Sequence, residues 1–331
     1  MTRTRWMAVA VLAALVAAAW ATSGLPPPTP TPPGAFAFAA LGDAPYYPWE
    51  ELRYRLVIRS MNDHDLALVL HVGDIFWRPC TDRHYRAALG RMNQVRHPVV
   101  YTPGDNEWTD CWEPGSGSFQ PRERLDSLRK IFFPDPTRAL GGRPLALATQ
   151  AASPAYATFV EHARWTIGGV VFATVHLVGN GNGLDPRPNR EPADDEEVRA
   201  RTGAAAAWIA EAFAEASASD APAVVIAFHG APDFRRRAEH PERQAYEPFL
   251  ETLEVEAERF GRPVLIIHGD DHEYTVDRPL VRRTTGRRLD NLTRLEVPGS
   301  PLVGWVRVVF MRGADPPFAF QPLVVPGWKY W

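Results

Sequence analysis

Five apolar stretches of this sequence each run into a residue that can hold a metal ion, at Gly42-Asp43, Gly73-Asp74, Gly104-Asp105, Phe228-His229 and Gly269-Asp270-Asp271-His272. Carboxylate oxygens and imidazole nitrogens are the donors that divalent cations accept most readily. A single Gly-Asp carries no information, because it is a common turn dipeptide. Five polar exits from apolar stretches, all Asp or His, are much harder to assign to turn chemistry. Gathered in one place, they would serve metal-assisted catalysis.

The surrounding pattern says how they are gathered. Residues 35–41 are an unbroken apolar run, 66–72 and 99–102 read as two more strands, and the segments between them, 49–61 and 85–95, place apolar residues at helical spacing. Strand, helix, strand, helix, strand implies parallel pairing with right-handed crossovers. In a parallel sheet the C-terminal strand ends share one edge, so ligands far apart in sequence converge there. A helix is predicted over 122–132. A hairpin follows, with strands over 156–166 and 169–177 around Gly168-Gly169, and the Ala-rich 196–216 reads as a helix. Residues 223–228 and 264–267 are two more buried strands. The strand-like runs at 292–297, 305–311 and 318–325 suggest a second sheet packed on the first. No internal repeat is evident.

In this order the blocks resemble those of the calcineurin-like metallophosphoesterases, whose ligands lie in Asp-x-His, Gly-Asp-x-x, Gly-Asn-His-Asp/Glu, a lone His after a strand, and Gly-His-x-His. The matching segments here are Gly42-Asp43-Ala44-Pro45, Gly73-Asp74-Ile75-Phe76, Gly104-Asp105-Asn106-Glu107, Phe228-His229-Gly230 and Gly269-Asp270-Asp271-His272. The likeness spans about residues 36–274. It implies an α/β fold, a two-sheet β-sandwich flanked by helices, with two metals bridged by one Asp. It also implies hydrolysis of phosphate mono- or diesters by a metal-bound hydroxide attacking phosphorus in line.

Position by position, the resemblance gives one metal Asp43, Asp74 and His272, and the other Asp74, Asp105, His229 and Asp270. The departures fall at Pro45, where the family has a His ligand, at Asp105 and Asp270, which replace other ligands, and at Asn106, which stands for the catalytic His. The first set is one ligand short, to be completed by water, Tyr46 or Tyr47; Trp77 occupies the place where purple acid phosphatases supply a Tyr. Three carboxylates and one imidazole form a hard second site that favours Mn, Fe or Mg, with Zn the remaining choice, as one or two divalent ions. Asn106 has no titrating proton, and loss of a general acid costs about 10² to 10⁴ in rate. His176, after the apolar strand 171–175 and beside the Gly-Asn repeat 179–183, is the expected substitute.

Other residues have plainer readings. His71 and His268 are expected as core histidines, and Glu107 and Asp271 as groups that hold a neighbouring ligand. Trp77, Trp108 and Trp112 either stack on a substrate ring or pack their loops. Arg235, Arg236 and Arg237 either clamp a phosphate or form a solvated face. A different class of reading is a non-catalytic descendant, a metal-binding protein that has lost hydrolysis, for which the joint change at Pro45 and Asn106 argues. Asp105 and Asp270, still competent ligands, argue against it.

A net charge of −3 leaves no basic excess to neutralise a run of phosphates, so nucleic-acid coating is not expected and the partner is a small phosphate ester. Arg3 and Arg5, the apolar stretch 6–20 and Ala19-Trp20-Ala21 read as a signal peptide over 1–21. The apolar run is short of the ~20 residues a span needs, which favours export, periplasmic or secreted, over an N-terminal membrane anchor. A Pro-rich linker over 22–34 should be extended, and 35–331 forms the catalytic domain. Cys80 and Cys111 each lie six residues beyond a strand-end Asp on neighbouring loops, which predicts a disulfide; two unrelated buried thiols are the alternative.

Overall fold

The computed structural model describes residues 24–234 and 239–326, so the expected signal peptide and Arg235–Arg237 lie outside the described residues. Two mixed sheets pack face to face. In chain order the strands are β1 (Ala35–Leu41), β2 (Val69–His71), β3 (Pro98–Tyr101), β4 (Leu140–Gly141), β5 (Ala148–Thr149), β6 (Ala163–Ile167), β7 (Val170–Thr174), β8 (Val224–Ala227), β9 (Val264–His268), β10 (Thr275–Asp277), β11 (Leu292–Glu296), β12 (Gly304–Met311) and β13 (Phe318–Val324). One sheet runs β13-β12-β1-β2-β3-β4 and the other β10-β11-β9-β8-β7-β6-β5.

The strands expected to form a single parallel sheet are divided between the two. β1, β2 and β3 are parallel in the first, and β7, β8, β9 and β11 are parallel in the second. The two C-terminal runs do not build the second sheet: β12 pairs antiparallel with β1, and β13 with β12. Burial explains this. β1 carries apolar residues on both faces, so a partner at its open edge hides a strand that could not face water. The expected hairpin forms around Gly168-Gly169, but its first strand begins only at Ala163; residues 150–156 are short 3₁₀ turns.

Side-chain alternation builds three layers of core. Phe38, Ala40, Leu70, Val72 and Val100 point toward Phe172, Val225, Leu265 and Ile267 across the sandwich. Ala37, Ala39 and Leu41 of β1 point the other way, onto the helices Glu50–Asp63, Asp82–Met92 and Pro121–Phe132. On the far side Val171, Val224, Ile226 and Ile266 meet the helices Pro192–Ala218 and Glu247–Phe260. The Pro-rich run has neither helix nor strand, as expected, yet it lies against the sheet: Leu25 is buried, and Arg307 donates to the Thr29 carbonyl and to Thr31 Oγ1. Among the described residues no helix is long and apolar enough to cross a membrane.

Candidate metal centre

The registers bring the five strand ends to one rim. Leu41, His71 and Tyr101 are paired across the first sheet, and Thr174, Ala227 and Ile267 across the second. Asp43, Asp74 and Asp105 follow a few residues beyond one set; His229 and Asp270 follow beyond the other. Asp43 (φ 56°), Asp74 (φ 54°), Asp270 (φ 80°) and His272 (φ 64°) all adopt left-handed backbone, rare for residues other than glycine. Such conformations persist where the surrounding structure fixes them, typically at functional sites.

Two donor sets result. Ligand atoms of Asp43, Asp74 and His272 lie within 4.8 Å of one another, as do those of Asp74, Asp105 and His229, so Asp74 belongs to both. His229 Nε2 lies 2.8 Å from Asp105 Oδ1, 3.4 Å from Asp74 Oδ1 and 3.7 Å from Asp270 Oδ1. Its Nδ1 donates to the Val72 carbonyl at 2.7 Å, and His272 Nδ1 does the same to the Ser300 carbonyl at 2.8 Å. Each of these bonds leaves Nε2 facing the carboxylates, the tautomer a metal ligand needs. Glycines allow the close approach: a Cβ at position 104 would stand 2.1 Å from Asp74 Oδ1, and one at 179 would stand 2.3 Å from Asp270 Oδ1.

The donors fit a cation. Asp43 is fully buried, and its Oδ2 has no hydrogen-bond partner among the described residues. A buried carboxylate oxygen without a donor is costly to maintain, and a cation is the partner it lacks. Burial, with the charges of Asp270 and Asp105, pushes the Asp43 carboxyl up to about 8. Asp270 is pushed up to about 7 by burial and by Asp105. Burial opposes protonation of His229, but the carboxylates around it outweigh this and hold its pKa well above the ordinary value. Without metal, protons on these groups offset the crowded negative charge.

The residue after Pro45 reaches the same donors. The Tyr46 hydroxyl donates to Asp74 Oδ2 at 2.5 Å and lies 3.2 Å from His272 Nε2, whereas Tyr47 turns away to stack on Trp49. Asn106 donates from Nδ2 to Asp74 Oδ2 at 2.6 Å, so it borders the cluster. Glu107 is buried and ties two loops together, accepting from Ile75 N at 2.7 Å and Gly104 N at 2.9 Å. The sulfurs of Cys80 and Cys111 are bonded, with Cα atoms 5.6 Å apart, and join the same two loops.

His176 is held in the core. It is fully buried, its Nδ1 donates to Glu161 Oε1 at 2.8 Å, and its Nε2 accepts from Trp108 Nε1 at 3.1 Å. Burial lowers its pKa to about 4, and Glu161 is itself paired with Arg129. Both nitrogens are engaged in the core, which argues against the role of proton donor expected of it. Trp108 is therefore a core residue. His71 and His268 are buried as expected, each lowered to about 3 by burial.

Asn180 was legible only as part of a Gly-Asn repeat. Residues 180–182 form a left-handed turn, and Asn180 Nδ2 donates to Asp105 Oδ2 at 2.9 Å and to Asp110 Oδ1 at 2.8 Å. The turn is anchored by Asn182, which is bound by Arg201 and donates to Thr202 Oγ1. Asn180 and Asp270 also line a cleft of about 860 Å³ that continues over Asp271, Glu273, Arg278 and Glu296. Asp271 lines this cleft.

This chain belongs to the calcineurin-like phosphoesterase family, whose profile matches residues 46–274, more than half of its length. The family defines it as a metal-dependent phosphoesterase in general. Among solved structures it resembles one described as the structure of PhoD, at 14% identity and a TM-score of 0.52, covering 90% of this chain and 70% of that one. TT1561 of Thermus thermophilus is similar at 10% identity and a TM-score of 0.44, covering 88% of this chain and 100% of that one. No protein of curated function matches the sequence.

Proposed function

We propose that the chain is an exported phosphoesterase that hydrolyses phosphate mono- or diesters, with residues 35–331 as one catalytic domain and residues 1–21 removed as a signal peptide. The observation that carries the reading is the pair of donor sets sharing Asp74. Asp43, Asp74, His272 and the Tyr46 hydroxyl would hold one divalent cation, and Asp74, Asp105, His229 and Asp270 the other. Bound there, the cations supply Lewis acidity and an activated water. The disulfide supports export, since such bonds persist in oxidising compartments.

The residues themselves do the positioning. Val72 and Ser300 carbonyls fix the two imidazoles, Glu107 fixes the loops of Asp74 and Asp105, and the adjoining cleft admits the ester. Neither Asn106 nor His176 can protonate a leaving group, so turnover should fall steeply as the leaving group's pKa rises. The test is metal analysis of the mature protein together with turnover of aryl and alkyl phosphate mono- and diesters. The expected result is bound metal, hydrolysis of activated aryl esters, and a slope that Asn106→His flattens. Full metal occupancy with every ester untouched would overturn the reading in favour of a non-catalytic metal-binding protein.

A further inference from the structure

The two loops that carry Asp43 and Asp74 also carry Tyr46-Tyr47-Pro48-Trp49 and Trp77-Arg78. Tyr46 turns inward to Asp74, and its neighbour begins an aromatic ledge on the outside. The Tyr47 and Trp49 rings are stacked, with centroids 4.5 Å apart and planes within 5°. Trp77 meets Tyr47 edge-on at 5.4 Å, and the Arg78 guanidinium lies 3.8 Å over the Trp77 ring. Tyr47 covers one face of Trp49; with the residue 54% exposed, the other faces solvent. Leu52, 68% exposed, lies on the helix that Trp49 caps, and Leu302 is 53% exposed.

The ledge is tied to the metal centre. Leu302 lies two residues beyond Ser300, whose carbonyl orients His272 and whose hydroxyl donates to Glu50, the residue after Trp49. Single exposed apolar side chains are ordinary, whereas a rigid stack beside a catalytic centre marks a ligand surface. A stacked, open indole face selects planar rings. The centre also lacks a titrating donor at Asn106 and at His176, so it favours alcohols that leave as stable anions. Planar, acidic alcohols meet both conditions.

We propose that the ledge of Tyr47, Trp49 and Trp77 binds the ring of an aryl phosphoester, making esters of planar aromatic alcohols the substrate class of this site. This rests on the phosphoesterase reading above. In the reaction the water oxygen bonds to phosphorus and releases one proton to solvent, the bond from phosphorus to the aryl oxygen breaks, and the aryloxide departs with the electron pair and takes up a proton from solvent. Arg78, which has no carboxylate partner among the described residues, offers a positive charge at the ledge's edge.

Two measurements on metal-loaded protein test it. The first compares turnover of phenyl and naphthyl phosphates, whose leaving groups are similarly acidic but differ in ring area, in wild type, Trp49→Ala and Tyr47→Leu. Wild type should prefer naphthyl, and each variant should reduce that preference about three- to tenfold, the range expected from loss of one aromatic contact. The second measures calorimetric binding of phenylphosphonate and methylphosphonate, which are not hydrolysed. Tighter binding of phenylphosphonate, lost in Trp49→Ala, supports the ledge even if no ester turns over, in which case only the hydrolytic reading fails. Equal binding of the two phosphonates, or an unchanged naphthyl preference in both variants, would overturn the proposal. Trp49 is largely exposed at a helix N-cap, so its replacement leaves the core intact.

Discussion

Asp74 stands alone among the donors in belonging to both sets, and it accepts from Tyr46 and Asn106 as well. Replacing it with alanine should lower the content of both metals and remove hydrolysis, whereas His229→Ala should affect mainly one. Elemental analysis of the two variants checks this, and equal occupancy in wild type and Asp74→Ala would disprove the bridging role. His176 has a different fate. His176→Ala would leave Glu161 and Trp108 facing a void in the core, and losing such a buried hydrogen bond to a charged group costs about 1.5–3 kcal/mol of stability. Urea unfolding should register that loss, while the dependence of turnover on leaving-group pKa should be unchanged. A steeper dependence in this variant would restore His176 as the acid.

Among the elements, the loops after β2 and β3 carry the most function for their length. They hold Asp74, Asp105, Asn106 and Trp77, and they are joined by Glu107 and by the disulfide. The bond closes a loop with a sequence separation of 31, for which chain entropy gives about 3–4 kcal/mol. Cys80→Ser with Cys111→Ser should lose roughly that much stability in denaturant and should also bind metal more weakly, because both loops present ligands. Unchanged metal affinity in the reduced-stability variant would show that Glu107 alone holds the loops in place.

For the whole molecule, the crowding of carboxylates makes stability depend on pH and metal together. Asp43 and Asp110 are raised to about 8 and Asp270 and Glu296 to about 7, with burial the first cause in each. The folded state therefore holds protons that the unfolded chain has already released. Stability contributed by these groups is complete below the ordinary carboxylate range and is lost as pH rises toward about 8. His229, also raised, acts in the same direction. Below about pH 6.5 the buried histidines His71, His176 and His268, all lowered, oppose this trend; above it they are neutral in both states, and the metal-free protein should melt at progressively lower temperature as pH rises toward about 8, with divalent cations restoring the loss most strongly at the upper end. Calorimetric scans with and without metal test this; a metal-free protein equally stable across the range would contradict the proposed cluster.

Much of this architecture was written locally. Apolar runs ending in Gly-Asp or His, helical spacing between them, and two cysteines at equal distances past their strand ends depend only on neighbours in the chain, so the candidate donors and the disulfide were legible there, and the resemblance those blocks carry implied the sandwich class. Which strands share a sheet depends on edges exposed elsewhere in the fold, and this is why β12 and β13 join β1 when the sequence alone suggested a separate sheet. Side-chain direction is equally non-local. His176 ends an apolar strand much as His229 does, yet its ring turns into the core toward Glu161 while that of His229 turns toward Asp105. Tyr46 was one of several candidates in the sequence and Asn180 carries no spacing signal; they reach Asp74 and Asp105 only because loops from separate strands meet at one rim. Packing around buried charge, which no local pattern encodes, decided those positions.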